Sequence, residues 1–170
     1  MINESQRRLV VEWTKKVHIL EYAHRFESKR QERKNIYYGV PPIIIGALIT
    51  IQVVNNFSIP FASIGGCIIA ILTGLQTFLK PTELAEKHRR ISETYEKLRN
   101  RFEYLLIYEI NEASFNEKLN RIKSDWDNLE TLNVPVKIYL EAKSQVKKNE
   151  TYPEPPSFII NSKTILDNPQ

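Results

Sequence analysis

The chain has little of what enzymes and metalloproteins require. It contains one cysteine, Cys67, and three histidines, His18, His24 and His88. A single cysteine excludes a disulfide within the chain, and the histidines lack the spacing of a zinc site. The sequence also lacks a phosphate-binding P-loop, a glycine-rich dinucleotide turn, an HExxH motif and a nucleophile elbow. We therefore predict that the protein is not an enzyme and that it uses no cofactor and no metal.

Charged residues are missing from one long part of the chain. From Gly39 to Leu79 there is no Lys, Arg, His, Asp or Glu, although charged residues make up 26% of the whole chain. The region 37–79 holds two apolar stretches, about 37–54 and 59–79. A helix of about 20 apolar residues crosses the hydrocarbon core of a bilayer. We predict a transmembrane hairpin over 37–79, and the alternative is a pair of buried core helices in a soluble protein.

Basic residues flank this region on both sides, whereas the step Asn55-Asn56 between the apolar stretches carries none. The positive-inside rule therefore places both termini in the cytoplasm. Basic residues beside anionic lipid headgroups also explain the net charge of +4, so nucleic acid is not favoured as a partner. A peripheral nucleic-acid-binding helical protein is a third interpretation. The flanking residues are Arg25, Lys29, Arg30, Arg33 and Lys34 on one side, and Lys80, Lys87, Arg89, Arg90 and Lys97 on the other.

The segments on either side of the hairpin have helical patterns. Residues 1–36 are predicted to form a cytoplasmic amphipathic helix with a narrow apolar stripe, Leu9, Trp13, Val17 and Leu20. Residues 80–132 are predicted to form an antiparallel helical pair that turns back at about 111–114, with Ser114 and Glu117 as a capping box. A short helix and a proline-containing tail occupy 133–170.

Apolar residues after the hairpin recur at alternating spacings of four and three, which is typical of a coiled-coil-like seam. His88 lies within this pattern, where we interpret it as a polar register residue and not as a metal ligand. We predict that the apolar members form an oligomer seam: Leu84, Ile91, Tyr95, Leu98, Phe102 and Leu105.

Prolines mark the positions where the membrane helices are expected to bend. Pro41 and Pro42 lie in the inner third of the first apolar stretch, and each removes a backbone donor, so we predict a kink there. Pro81 follows the second stretch and ends or kinks its helix. Each site is either a fixed bend or a hinge that takes part in gating.

The second apolar stretch has one small or polar side and one bulky side. Its small residues repeat every four positions, a pattern that lets helix backbones approach closely, and we predict that they form a packing face: Ala62, Gly66, Ala70 and Gly74. Beside them lies a polar patch that we predict to line a pore: Thr73, Gln76, Thr77 and Lys80. The alternative is ordinary helix packing in which the threonine hydroxyls bond back to their own helix. Because one hairpin cannot enclose water, a pore requires an oligomer.

This layout resembles the SLATT family, which are bacterial two-transmembrane effector domains of conflict and defence systems. The shared features are a charged amphipathic helix at 9–35, a tight hairpin at 37–79 whose second helix contains glycine, and a heptad-like helix at 82–109 that follows at once. The resemblance covers 3–132 and depends on architecture and pattern.

The resemblance implies an all-α membrane protein of the bacterial inner membrane, multi-pass, with both termini cytoplasmic. It implies an antiviral effector that assembles in the lipid bilayer as a homo-oligomer and forms a pore or disrupts the membrane, which causes abortive infection by cell death or growth arrest. It also implies a sensor protein encoded nearby, such as a nucleotidyltransferase or a reverse transcriptase. The alternative from another class is a non-conducting, membrane-anchored scaffold or signalling subunit that binds a partner through its cytoplasmic helices.

Overall fold

The computed structural model describes residues 4–54, 59–108 and 114–149, with only the backbone for 52–54 and 59–61. The prediction of an all-α chain is confirmed for these residues, among which there is no β-strand. The predicted polar step at 55–56 and the predicted tail at 151–170 lie outside the described residues. The helices are α1 (Glu4–Val54), α2 (Ile59–Leu79), α3 (Pro81–Tyr108), α4 (Phe115–Asp127) and α5 (Val136–Asn149).

Contacts within the chain divide it into two compact units. We call Met1–Phe26 together with Arg90–Gln170 the bundle unit, and Glu27–Arg89 the apolar unit. Helices α1 and α3 each contribute residues to both units. The apolar unit extends beyond the predicted hairpin, 37–79, into the charged residues on either side.

Helix α1 is a single helix of 51 residues. The boundary predicted at residue 36, between a cytoplasmic helix and a membrane helix, therefore coincides with no break in the helix. Pro41 and Pro42 lie inside α1, and because each lacks a backbone N–H, two carbonyls of the preceding turn lose their helical donors. The role of these prolines as a hinge stays a prediction.

A single non-helical residue, Lys80, separates α2 from α3. Its φ of 44° lies in the left-handed region, which costs a residue with a side chain about 1–3 kcal/mol. The backbone stays bonded on both sides, since Lys80 N donates to Gln76 O and Leu84 N donates to Lys80 O, each at 3.1 Å. Pro81 occupies the first position of α3, where its fixed φ and missing N–H fit.

Three aromatic rings, one from each of three helices, meet inside the bundle unit. Trp13 of α1, Phe102 of α3 and Trp126 of α4 have ring centroids 6.1 to 6.3 Å apart. Their tilted and edge-on arrangements are those that aromatic quadrupoles favour. The apolar stripes of α3 and α4 pack around these rings with two valines of α1. The buried residues of this core are Val10, Val17, Ile91, Tyr95, Leu98, Phe102, Leu105, Phe115, Leu119 and Ile122.

The face that α1 buries differs from its predicted stripe. Of the four predicted residues only Val17 is buried, whereas Leu9, Trp13 and Leu20 are half-buried. Seven of the buried positions of α1 follow heptad spacing, but five of the seven are polar, which is why an apolar pattern missed them. They are Val10, Thr14, Val17, Glu21 and His24 in the bundle unit, and Ser28 and Gln31 in the apolar unit. We call these seven residues the polar seam of α1.

Among the members of the polar seam, Glu21 has the largest free-energy cost of burial, because it carries a carboxyl group and is only 1% exposed. Two arginines hold its carboxylate, with Arg99 Nε at 2.9 Å from Oε2 and Arg25 Nη2 at 2.8 Å from Oε1. Ser92 Oγ donates to the Glu21 carbonyl at 3.0 Å. Burial raises the pKa of the Glu21 carboxyl, while Arg99 and Arg25 act to lower it. One cluster of acidic, basic and hydroxyl side chains thus joins α1 to α3 in the bundle unit.

The capping box predicted at the start of α4 is wrong, because the expected hydrogen bond from the Ser114 side chain to the helix is not formed. Ser114 does precede the helix as its N-cap, but its side chain makes no capping bond. An N-cap side chain reaches the helix amides from an extended backbone, and Ser114 has helical angles, φ −81° and ψ 0°. Glu117 instead pairs with Arg121, whose Nη2 lies 2.6 Å from Oε1.

Removing Arg99 should destabilise the bundle unit far more than removing Arg101. Arg99→Ala leaves the buried Glu21 carboxylate with one arginine, and breaking a buried pair costs about 3–5 kcal/mol of unfolding free energy. Arg101→Ala is the matched control, since its pair with Asp125 is exposed and is worth at most about 1 kcal/mol. Guanidinium titration in detergent, followed by the fluorescence of Trp13 and Trp126, measures both. Equal losses would contradict the importance of the buried pair.

Candidate functional site

The apolar unit exposes most of its large apolar side chains. Two helices are long and apolar enough to cross a membrane, and their most apolar stretches are 0% and 6% buried within the chain. A pair of core helices in a soluble protein would be covered by its own chain, so the described residues argue against that alternative. The exposed residues include Ile36, Val40, Ile43, Ile44, Leu48 and Ile51 of α1, and Ile64, Ile68, Ile71, Leu75, Phe78 and Leu79 of α2.

Polar side chains connect α1 and α2 near the charged residues that flank the apolar stretches. Gln76 Nε2 donates to Asn35 Oδ1 at 3.0 Å. The same amide lies over Gly39, where an added Cβ would stand 3.2 Å from Nε2. Glycine at position 39 therefore leaves room for this interhelical hydrogen bond.

Further along the two helices, Gly65 lets α2 approach α1 closely. Gly65 is buried, and an added Cβ would lie 2.7 Å from Ile49 Cδ1 and 3.2 Å from Ile45 Cγ2. The pairs 35 with 76 and 45 with 65 run in opposite directions along the sequence, so α1 and α2 are antiparallel where they touch.

The predicted packing face of α2 lies one residue away from the face that contacts α1. Ala62 is half-buried, whereas Gly66, Ala70 and Gly74 are exposed. A Cβ added at Gly66 or at Gly74 would have no neighbour within 4 Å. Among the described residues this small face is not used inside the chain, and its use between copies of the chain stays a prediction.

The four predicted pore-lining residues do not share one environment. Gln76 is half-buried and turned toward α1, while Thr73, Thr77 and Lys80 are exposed. Thr77 Oγ1 donates to the Thr73 carbonyl at 2.9 Å, so its hydroxyl bonds back to its own helix. Lys80 Nζ lies 3.5 Å from Glu83 Oε2. The polar patch open to the surface is therefore smaller than predicted.

The predicted oligomer seam is occupied inside one chain. Leu84 is half-buried, and the other five predicted members are at most 8% exposed: Ile91, Tyr95, Leu98, Phe102 and Leu105. The heptad spacing identified a buried face correctly, but its neighbours are α1 and α4 of the same chain. An oligomer that used this face would first have to open the core of the bundle unit.

A second set of polar contacts, which the sequence analysis missed, lies at the charged end of the apolar unit. Ser28 Oγ donates to the Ala85 carbonyl at 2.9 Å. Glu27 is 2% exposed and accepts hydrogen bonds from Gln31 at 2.5 Å and from Arg30 at 3.1 Å. Ser28 and Gln31 continue the heptad spacing that begins at Val10, and this spacing is the signal that would have revealed them.

His88 is buried in this second set and is 3% exposed. Burial lowers the pKa of its imidazole below the ordinary value of 6.5, and the nearby Glu27 carboxylate offsets part of that effect. The folded chain therefore favours the neutral imidazole.

Within the described ranges, no group of three or more His, Cys, Asp or Glu side chains is placed to hold a metal ion. Comparison with protein-family models, with curated proteins and with solved structures gives no match for this chain. The resemblance to the SLATT family therefore stays a prediction.

Replacing Gly65 should disturb the contact between α1 and α2, whereas replacing Gly46 should not. Gly65→Leu forces a side chain into Ile45 and Ile49, and such overpacking costs about 1–3 kcal/mol. Gly46→Leu is the matched control, because a Cβ added at Gly46 has no neighbour within 4 Å and Gly46 belongs to no predicted packing face. Thermal unfolding in detergent, followed by circular dichroism, should show a lower midpoint for Gly65→Leu alone. Equal midpoints would contradict the contact.

The folding stability of the protein should decrease as the pH is lowered, because His88 becomes protonated. Because the pKa is lower in the folded chain, the unfolded chain binds the proton more tightly. The stability that His88 contributes is therefore complete above its ordinary pKa of 6.5 and is lost as the pH falls below it. His88→Leu should reduce the drop in melting temperature between about pH 7.5 and about pH 5.5. A drop unchanged by this substitution would contradict the assignment of this pH dependence to His88.

Proposed function

We propose that 37–79 forms a transmembrane hairpin and that the protein acts as a membrane effector. The observation that carries this proposal is the uncovered apolar surface of α1 and α2. Such a surface is stable in lipid, where backbone groups are satisfied inside each helix. The interhelical bond between Gln76 and Asn35 is also suited to lipid, because it pairs a donor of one amide with the acceptor of the other.

The charge pattern supports one orientation of the hairpin. Lys29, Arg30, Arg33 and Lys34 stand before the first apolar stretch, and Lys80 and Lys87 follow the second. By the positive-inside rule both termini are cytoplasmic. For a bacterial chain, as the family resemblance implies, the membrane is the inner membrane.

The hairpin is proposed to assemble into a homo-oligomeric pore. Two helices have too few walls to enclose water, so conduction requires several copies. Gly66, Ala70 and Gly74 present a small, open face that would let helices of neighbouring copies approach. Thr73 and Thr77 are exposed beside that face and would line the inner mouth of the pore, with Lys80 next to them.

The defence role comes from the SLATT resemblance alone. On that basis the pore or membrane disruption would cause cell death or growth arrest during infection. A sensor encoded nearby, such as a nucleotidyltransferase or a reverse transcriptase, would supply the trigger. No catalytic step is proposed for this chain.

A non-conducting membrane scaffold or signalling subunit is the second candidate, and one observation favours it. Gln76 is satisfied by Asn35 inside the chain, and Thr77 is satisfied by the Thr73 carbonyl. The side chains that remain to line a pore are therefore few. In a scaffold the hairpin is an anchor, and a partner protein binds the cytoplasmic helices.

Leakage of ions or dye from liposomes that contain the purified protein tests the pore. We expect leakage, and we expect Thr73→Leu with Thr77→Leu to reduce it at least several-fold, because apolar side chains at the mouth disfavour water. Thr50→Leu is the matched control, since Thr50 is an exposed threonine of α1 that also bonds back to its helix. The size of the oligomer in detergent is recorded on the same samples, together with Gly66→Leu.

The outcomes separate the two candidates. Leakage that falls in the double variant but not in Thr50→Leu, with a smaller oligomer for Gly66→Leu, supports the pore and its assigned faces. Leakage that persists in the double variant contradicts the assigned lining. A stable oligomer that never leaks, even with a candidate sensor protein added, favours the scaffold.

A further inference from the structure

The bundle unit contains an open groove of about 410 Å³ between α3 and α4. Its floor is apolar, since Leu105 and Ile122 are 1% and 5% exposed. Its volume falls within the range of about 300–1,000 Å³ that small-molecule sites occupy. The groove lies outside the apolar stretches and plays no part in the proposed pore.

Among the described residues, three basic side chains and no carboxylate line the groove. Arg101 comes from α3, while Lys118 and Arg121 come from α4, where their spacing of three places them on one face. Asn100 and Tyr104 complete the lining. Cations from two helices thus face one space from opposite walls.

Both arginines have carboxylate neighbours outside the groove lining. Arg101 Nη1 lies 2.6 Å from Asp125 Oδ2, and Arg121 Nη2 lies 2.6 Å from Glu117 Oε1. All four side chains are about half-exposed or more, and exposed pairs of this kind are weak because water screens them. Each pair engages one nitrogen of a guanidinium group that has five N–H donors. A more highly charged anion in the groove can therefore compete with these carboxylates or share the arginines with them.

Tyr104 adds an aromatic wall. It is 56% exposed, and its ring lies 4.9 Å from the ring of Tyr108, which is also exposed. An exposed ring beside basic side chains offers a stacking surface to a planar group. The floor formed by Leu105 and Ile122 offers apolar contact to the same group.

We propose that this groove binds a small aromatic phosphate, a molecule that joins a phosphate group to a planar ring. The phosphate would take the three cations, because its oxygens accept hydrogen bonds from several donors at once and it carries more charge than a carboxylate. The ring would lie against Tyr104 above the apolar floor. A ligand bound in this way contacts both α3 and α4.

Titration calorimetry of the full chain in detergent with phenyl phosphate tests the proposal. Phenyl phosphate should bind at one site per chain, more tightly than inorganic phosphate or phenol, because only it uses both the cations and the ring. Arg121→Gln and Lys118→Gln should each weaken binding about three- to tenfold, as expected for a partly exposed charge-assisted hydrogen bond. Tyr104→Ala should remove the advantage of phenyl phosphate over inorganic phosphate.

Lys137→Gln in α5 is the matched control, because Lys137 is exposed and lies outside the groove lining. It removes the same charge and should leave binding unchanged. An equal loss in Lys137→Gln would show general attraction of anions and overturn the proposal. Absence of binding, or binding of inorganic phosphate that equals phenyl phosphate and ignores Tyr104→Ala, would overturn it as well. Circular dichroism of each variant confirms that the fold is kept.

Discussion

The apolar surface of α1 and α2 is the constraint on which the rest of the molecule depends. Removing one large apolar side chain from water stabilises a protein by about 1.5–3 kcal/mol, and both helices leave many such side chains uncovered. Contiguous apolar surface of this size is rare on soluble monomers and marks a membrane or an interaction site. The uncharged sequence from Gly39 to Leu79 and the basic residues on both sides are consistent with lipid as the covering.

Helix α1 has two different kinds of surface along its length. Beyond Tyr37 it turns apolar side chains outward, but before that point it buries a polar seam. Buried charge is costly unless it is paired, and Glu21 is held by Arg25 and Arg99 while Ser92 bonds to its backbone. Such a seam specifies one register between α1 and α3, since a shift would leave the carboxylate unpaired.

The sequence allowed prediction of the features that depend on local pattern. The absence of charge located both apolar helices, and spacings of three and four located the buried faces of α3 and α4. Pro81 marked the break that follows the second apolar stretch, whereas the glycines predicted to pack, Gly66 and Gly74, have no neighbour within 4 Å of an added Cβ. These signals act over a few residues, so one sequence is sufficient to read them.

Features that depend on distant partners could not be predicted. Glu21 is separated by 78 residues from Arg99, and an isolated glutamate on a charged helix gives no sign that it is buried. The choice of Gly65 over Gly66 for the contact with α1 depends on the rotation of α2, and neighbouring residues on a helix differ by about 100°. Heptad spacing identified the buried face of α3 without identifying what covers it, so the use of this face between copies of the chain stays a prediction.

Labelling from outside the cell tests most directly whether 37–79 crosses the membrane with both termini inside. In a Cys67→Ser background, Asn56→Cys and Ser124→Cys each provide one thiol for a membrane-impermeant maleimide applied to spheroplasts. A transmembrane hairpin predicts that Asn56→Cys reacts in intact spheroplasts and that Ser124→Cys reacts only after lysis. Equal labelling of both thiols before lysis, or release of the chain from membranes by alkaline carbonate, would contradict it.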